Sequence, residues 1–169
     1  MTANDIRQLL DYHYWARDRV LDAVGLLDSS AFTAPRESSF SSIRDTLAHT
    51  YLAEWAWYSR WQGHSPTGFP ALDQFKDVES LSIAWQATEQ KVRDFVRPMS
   101  DADVTRVIDY RMFSGVEAAS PVWQMVQHLV NHASYHRGQV TTMLRQAGAK
   151  PAKSMDLITF YRETRTGSG

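Results

Sequence analysis

Apolar residues recur at helical spacing in four long stretches of the chain. The spacing predicts helices over residues 5–27, 39–62, 74–97 and 121–147. Helix-breaking residues follow three of them, because Gly63, Pro98 and Gly148 lie at or just beyond the last periodic positions. Ser120 and Pro121 predict the start of the fourth helix, since serine caps free amide groups and proline suits the first helical position.

The segments between and after these helices follow other patterns. A loop is predicted over residues 63–71, and imperfect alternation over 104–117 predicts extended chain or a hairpin around Gly115. An apolar tail from Leu157 to Tyr161 is expected to pack back on the helices, and residues 166–169 are expected to be disordered. No repeat or linker divides the chain. We therefore predict an all-α four-helix bundle that forms a single domain over residues 1–165.

Composition excludes several classes of function. The chain has 169 residues, with 18 lysines and arginines, 19 acidic residues, a formal net charge of -1 and no cysteine. Without cysteine there are no disulfides, thiolate ligands or cysteine nucleophiles, which agrees with a cytoplasmic location. The charge balance makes nucleic acid an unfavourable partner, although a local basic patch stays open. No stretch is long and apolar enough for a membrane span, and no targeting segment is apparent.

Three histidines in the fourth predicted helix lie on nearly one face. His128, His132 and His136 are spaced by four residues, and two such imidazoles can chelate one ion. On a helical wheel, His136 lies about 20° from the centre of the apolar stripe, His132 about 60° and His128 about 100°. The wheel therefore favours His132 and His136 as the ligand pair.

A third ligand has to come from another part of the chain. No aspartate or glutamate occurs between Ala118 and Met155, whereas His49 lies in the middle of the second predicted helix. Three imidazoles leave coordination positions open, as catalytic sites do. The alternative is that these histidines are ordinary core or surface residues satisfied by hydrogen bonds. No role is assigned to His13 or His64.

The second predicted helix carries more apolar surface than one buried face requires. Its clearest stripe points away from His49 and consists of Phe40, Ile43, Leu47, Tyr51, Tyr58 and Trp61. Trp55 and Trp57 extend aromatic bulk almost all round the C-terminal half of this helix. We expect this surplus to form a homodimer interface, with denser packing inside the chain as the alternative.

Three motifs resemble those of the DinB family over nearly the whole chain. The first is Tyr-His-Tyr-Trp-Ala from Tyr12, the second Ser-Ile-Arg-Asp-Thr-Leu-Ala-His ending at His49, and the third His-Leu-Val-Asn-His-Ala-Ser-Tyr-His-Arg-Gly-Gln from His128. The resemblance implies an up-down-down-up four-helix bundle and places the family's three metal ligands on His49, His132 and His136. Arg17 departs from the asparagine common in relatives, at a position that holds no ligand.

The resemblance and the ligand set together define the functional hypotheses. Zinc and nickel are the leading metals, and low-molecular-weight thiols are cosubstrates implied by the family. We expect a metal-dependent transferase or hydrolase that acts through an activated thiol or water. The alternatives are a non-catalytic metal-binding or metal-stabilised dimeric bundle and, third, a DNA-binding protein.

The fourth predicted helix supplies further candidates around the ligands. Arg137 and Arg145, in a helix without acids, favour an anionic nucleophile or substrate. No catalytic residue is assigned, and the possible supporting residues around the metal are His128, Asn131, Tyr135 and Gln139. Each of these four is also an ordinary packing or surface residue at its helical position.

Overall fold

A computed structural model describes residues 1–165 and is mostly helical. The helices are α1 (Ala3–Val24), α2 (Ser29–Thr33), α3 (Ile43–Trp61), α4 (Val78–Val96), α5 (Asp101–Thr105), α6 (Val122–Gln146) and α7 (Leu157–Arg165). A two-stranded sheet lies between α5 and α6, in the region where the sequence predicted extended chain or a hairpin, and the rest of the fold is mostly helical. Its strands are β1 (Val107–Arg111) and β2 (Glu117–Pro121).

Side-chain caps set the starts of the long helices. The Ser42 hydroxyl accepts a hydrogen bond from the Asp45 amide, so α3 begins at Ile43, four residues later than predicted. The Asp77 carboxylate caps the Ser80 amide in the same way and starts α4 at Val78, also four residues later than predicted. Two short helices, α2 and α5, also begin with side-chain caps. They lie in regions where the apolar spacing did not predict a helix.

The predicted cap of the last long helix is wrong, although the helix itself forms. Ser120 and Pro121 belong to β2, and the first amide of α6, that of Val122, donates to the Arg106 carbonyl at 3.1 Å. The amide that a serine cap would have satisfied is instead bonded to the segment before β1. The start of α6 is therefore set by a hydrogen bond to a residue outside the helix rather than by a side-chain cap.

The hairpin predicted around Gly115 is present, with its strands shifted toward the helix. Val107 pairs with Pro121 and Arg111 with Glu117 in an antiparallel register. Gly115 has a φ of 84° in the connecting turn, a conformation that glycine adopts without steric cost. The hairpin contacts α3 through β1 and α6 through β2, and so covers one end of that helix pair.

The four long helices contact one another in a closed order. Helix α1 packs on α4 and α6, and α3 packs on the same two helices. The pairs His49–His132, Trp57–His128 and Trp61–Met125 show that α3 and α6 run antiparallel. The predicted tail packs back as α7, whose Phe160 ring contacts Tyr12 and Trp15 of α1. The predicted disorder of residues 166–169 lies outside the described residues.

A buried carboxylate joins three of these helices. Glu54 of α3 is fully buried and accepts hydrogen bonds from the Tyr14 hydroxyl at 2.8 Å and the Trp85 indole at 2.7 Å. Its Oε2 also lies 2.9 Å from Nε2 of His13. Burial lowers the pKa of His13, so the ring is neutral near pH 7 and donates through Nε2. Among the residues that the structure describes, its Nδ1 has no hydrogen-bond partner, which leaves only a lone pair unsatisfied.

Within residues 1–165, no helix combines the length and the apolar character that a membrane crossing requires.

Replacing Glu54 by glutamine is expected to lower the free energy of unfolding by about 2–3 kcal/mol. The amide nitrogen would then face donors that now meet a carboxylate oxygen, leaving at least one buried donor unsatisfied. Urea unfolding followed by circular dichroism measures the loss. Glu79→Gln, at an exposed position of α4, is the matched control and should change stability by less than about 0.5 kcal/mol. Equal stability of the two variants would contradict a stabilising role for the Glu54 network.

Candidate metal centre

The structure brings His49 of α3 together with His132 and His136 of α6. Nε2 of His132 lies 3.2 Å from Nε2 of His49 and 3.0 Å from Nε2 of His136. One ring nitrogen from each histidine lies within 4.8 Å of the other two. The helical wheel also predicted the order of burial of the three histidines of α6. His136 is buried, His132 is half-buried and His128 is exposed.

These distances fit a shared divalent ion. Two nitrogens that each lie about 2.1 Å from one ion, at tetrahedral or octahedral angles, are about 3.0–3.4 Å apart. The three rings meet pairwise at 61°, 80° and 75°, so their nitrogens converge from different directions. A single hydrogen on the central His132 nitrogen cannot serve both of its neighbours, whereas one cation serves all three lone pairs.

The protonation states also suit metal binding. Burial lowers the pKa of His49 to about 4 and that of His132 to about 3, and repulsion between the imidazoles adds to both shifts. Burial lowers the pKa of His136 as well, against the opposing effect of its hydrogen bond to Gln139. All three rings are therefore neutral near pH 7 and offer lone pairs.

Gln139 fixes which nitrogen of His136 carries that lone pair. Nδ1 of His136 lies 2.7 Å from the Gln139 side-chain oxygen, so Nδ1 donates and Nε2 is left free. The Gln139 amide donates in turn to the Ser39 hydroxyl at 3.0 Å. Of the four predicted supporting residues, Gln139 is the one with a hydrogen bond to a histidine of the cluster.

The other three supporting candidates take different positions. The His128 ring lies nearly parallel to His132, with centroids 5.8 Å apart, but is outside the cluster of nitrogens. Tyr135 is exposed and places its ring edge against His136 at 5.2 Å. Asn131 is exposed and makes no side-chain hydrogen bond among residues 1–165. His13 belongs to the Glu54 network, and His64 lies exposed after α3.

Aromatic rings surround the cluster, at positions that the sequence pattern did not predict. Phe40 precedes α3 instead of belonging to its apolar stripe, and its ring stacks on His49 at 4.4 Å. Phe69, in the loop after α3, meets His49 edge-on at 5.6 Å. The contact of Phe40 with His49 was not predicted, because the second helix was predicted to begin at residue 39 and therefore included Phe40. Phe69 is one loop residue among many and carries no spacing signal.

A cavity of about 600 Å³ opens beside His49 and His132. Its walls come from α3, α6, the hairpin and the loop after α3, including Trp57, Tyr110 and Phe113. Arg60 also lines this cavity, and the sequence pattern predicted no role for it. Arg137 instead lies over the Tyr12 ring on the α1 side of α6, and neither it nor Arg145 lines the cavity, so the predicted source of positive charge is wrong.

The fold and site together define a mostly helical protein with a candidate three-histidine metal centre between two antiparallel helices. Residues 1–166 match the DinB family, and the chain belongs to that family.

Individual proteins are similar to this chain in sequence or in fold. Protein DinB of Bacillus subtilis (strain 168) is 27% identical over 175 residues, spanning 93% of this chain and 95% of that protein. A DinB-like protein from Bacillus cereus ATCC 10987 has a similar fold, with a TM-score of 0.69 at 18% identity over 90% of this chain and 97% of that one. An uncharacterised protein from Escherichia coli UTI89 gives a TM-score of 0.60 at 11% identity, over 88% and 96% of the two chains.

Replacing Gln139 by leucine is expected to weaken divalent-metal binding about 10- to 100-fold, because His136 loses the acceptor that holds its Nδ1 hydrogen. Competition with a chromogenic chelator measures the affinity. Gln127→Leu, at an exposed position of the same helix, is the control and should bind metal like the wild type. Unchanged affinity in Gln139→Leu would show that the hydrogen bond does not orient a ligand.

Proposed function

We propose that this protein is a metal-dependent enzyme of the thiol transferase or hydrolase type, with His49, His132 and His136 as the metal ligands. One observation carries the proposal, namely three neutral imidazoles whose Nε2 atoms converge at the edge of a cavity of about 600 Å³. Membership of the DinB family is consistent with metal binding. The size of the cavity suits a small-molecule substrate.

The ligand set favours catalysis over a closed structural site. Three protein ligands leave coordination positions for substrate, and no carboxylate from residues 1–165 belongs to the cluster to offset the charge of the ion. When bound, a divalent ion supplies Lewis acidity, which polarises carbonyl groups and lowers the pKa of water or a thiol. Zinc and nickel are the proposed metals, and a low-molecular-weight thiol is the proposed cosubstrate.

The residues of the chain have separable tasks in this proposal. The three histidines hold the ion, and Gln139 keeps the His136 ring in the required tautomer. Phe40 and Phe69 cover two sides of the His49 ring and limit the access of water from those directions. His128 and Tyr135 lie beside the cluster as polar groups that an arriving substrate meets.

A non-catalytic metal site is the second candidate. The cluster joins α3 to α6, so one ion would connect two long helices and stabilise their packing. A purely structural ion should lower the melting temperature by many degrees on removal, without any turnover being found. DNA binding is the third and weakest candidate, given a net charge of -1. A cytoplasmic location stays a prediction.

The arrangement of the four long helices is also part of the proposal. We propose an up-down-down-up bundle in a single domain over residues 1–165. In support, α1 and α3 each pack on both α4 and α6, as opposite members of a four-helix ring do.

His136→Ala is expected to abolish stoichiometric metal binding and any thiol-transfer or hydrolase activity found in a substrate screen. The variant removes the most buried ligand of the three and leaves two, which no longer define a tight site. Elemental analysis after purification in zinc- or nickel-containing medium gives the metal content. His64→Ala, in the exposed loop, is the control and should keep both metal and activity. A variant His136→Ala that retains the metal would refute the ligand assignment.

We propose a homodimer. Contacts inside the chain, however, cover more of the apolar surface of α3 than the sequence indicated. Tyr51, Trp57 and Trp61 find ring partners inside the chain, on Phe75, Tyr110 and Phe95 respectively. Trp55 and Tyr58 stay partly exposed on α3. Sedimentation equilibrium at micromolar concentration is expected to give twice the chain mass, and a monomer would refute the dimer.

A further inference from the structure

Arg60 stands apart from the other buried arginines of the described chain. Three arginines are buried in residues 1–165, namely Arg17, Arg60 and Arg137. Arg17 bonds to the carboxylates of Asp18 and Glu89, and Arg137 donates to the Ser134 hydroxyl. Arg60 is 6% exposed, has neither an ion pair nor a side-chain hydrogen bond within residues 1–165, and its Nε has no partner.

Aromatic rings hold this guanidinium against the cavity. Its central carbon lies 4.7 Å from the centre of the Trp57 ring, 5.4 Å from Tyr110 and 5.0 Å from Phe113. All three rings, and Arg60 itself, line the cavity beside the histidines. Ring faces attract a cation but accept none of its N–H hydrogen bonds in the way that an oxygen does. The donors of Arg60 are therefore incompletely satisfied.

The rest of the wall has the character of a site for an organic anion. No aspartate or glutamate from residues 1–165 lines the cavity, and its other polar groups include Ser120, Gln124 and His128. Burial lowers the pKa of the Arg60 guanidinium, and no carboxylate contributes an opposing effect. A buried cation without an anionic partner is unfavourable unless a ligand supplies one.

The position of Arg60 also determines how such a ligand would lie relative to the histidine cluster. Arg60 lies eleven residues after His49 on α3, which corresponds to about 16 Å along the helix. Its guanidinium turns back over Trp57, one turn nearer to His49. His128 and then His132 continue the wall from Trp57 on the α6 side. An elongated molecule can therefore bind Arg60 at one end and reach the histidine cluster with the other.

We propose that this cavity binds a small organic anion, whose oxyanion group pairs with Arg60 and whose apolar body lies among Trp57, Tyr110 and Phe113. Binding of the anion is independent of the metal. Its assignment as the substrate class of an enzyme rests on the proposed function.

The test uses the full chain, freed of metal with a chelator, and three ligands of similar shape. Isothermal titration calorimetry measures binding of benzoate, phenyl phosphate and neutral benzamide to the wild type, Arg60→Met and Arg145→Met. Benzoate or phenyl phosphate, whichever oxyanion fits, is expected to bind Arg60→Met about tenfold or more weakly than the wild type, as for a lost charge-assisted hydrogen bond. Arg145→Met, an exposed control on α6, should bind like the wild type, and benzamide should not distinguish the variants.

Three results would overturn the proposal. These are equal anion affinities in the wild type and Arg60→Met, benzamide affinity equal to that of both anions, and absence of anion binding to the wild type. If Arg60→Met does not fold, nuclear magnetic resonance of the arginine Nε–H groups of the wild type tests whether Arg60 binds the anion. One buried Nε–H signal should shift with an anion and not with benzamide, and no shift with either anion refutes the site.

Metal content separates this proposal from the proposed function. Arg60→Met is expected to bind one divalent ion per chain like the wild type, because Arg60 contacts none of the three ligands. A wild type that binds the anion but no metal refutes the enzyme proposal alone. A wild type that binds metal but no anion refutes the Arg60 site alone.

Discussion

The buried carboxylate of Glu54 is the constraint on which the rest of the structure depends. A carboxylate removed from water is stable only when hydrogen bonds replace the solvent, and here the donors come from α1 and α4. Their directions fix the rotation of α3 about its own axis. Once Glu54 faces those helices, His49 lies on another side of α3, toward α6. The placement of the candidate metal centre therefore follows from a polar contact elsewhere on the same helix.

This arrangement explains why the C-terminal half of α3 is aromatic or apolar on nearly every side. One side packs around Glu54 with Tyr51 and Trp85, and another packs on α6 through Trp61 and Met125. Trp57 and Arg60 line the cavity between α6 and the hairpin. The sequence of a helix that is surrounded in this way has the same apolar pattern as a helix at a dimer interface. The ring contacts inside the chain account for much of that pattern.

Periodicity predicted the long helices because each buries one continuous stripe, and this property is local in sequence. The start of α3 was misplaced because Phe40 continues the apolar spacing although Ser42 is the cap. The start of α6 was misassigned because its first amide bonds to Arg106, which lies sixteen residues earlier. The meeting of His49 with His132 and His136 was foreseen from spacing and family motifs. The role of Arg60 was not predicted, because a buried arginine without a partner among residues 1–165 can be recognised only when its neighbours in space are known.

The hairpin of β1 and β2 contributes Tyr110 to the cavity wall, and its turn contributes Met112 and Phe113. None of these residues belongs to the histidine cluster or to the Glu54 network. Substitutions at these three residues would therefore change the cavity wall without removing a histidine of the cluster or a member of the Glu54 network. In evolutionary terms the turn is the part of the wall at which the lining of the cavity can vary while the helices that carry the three histidines stay unchanged.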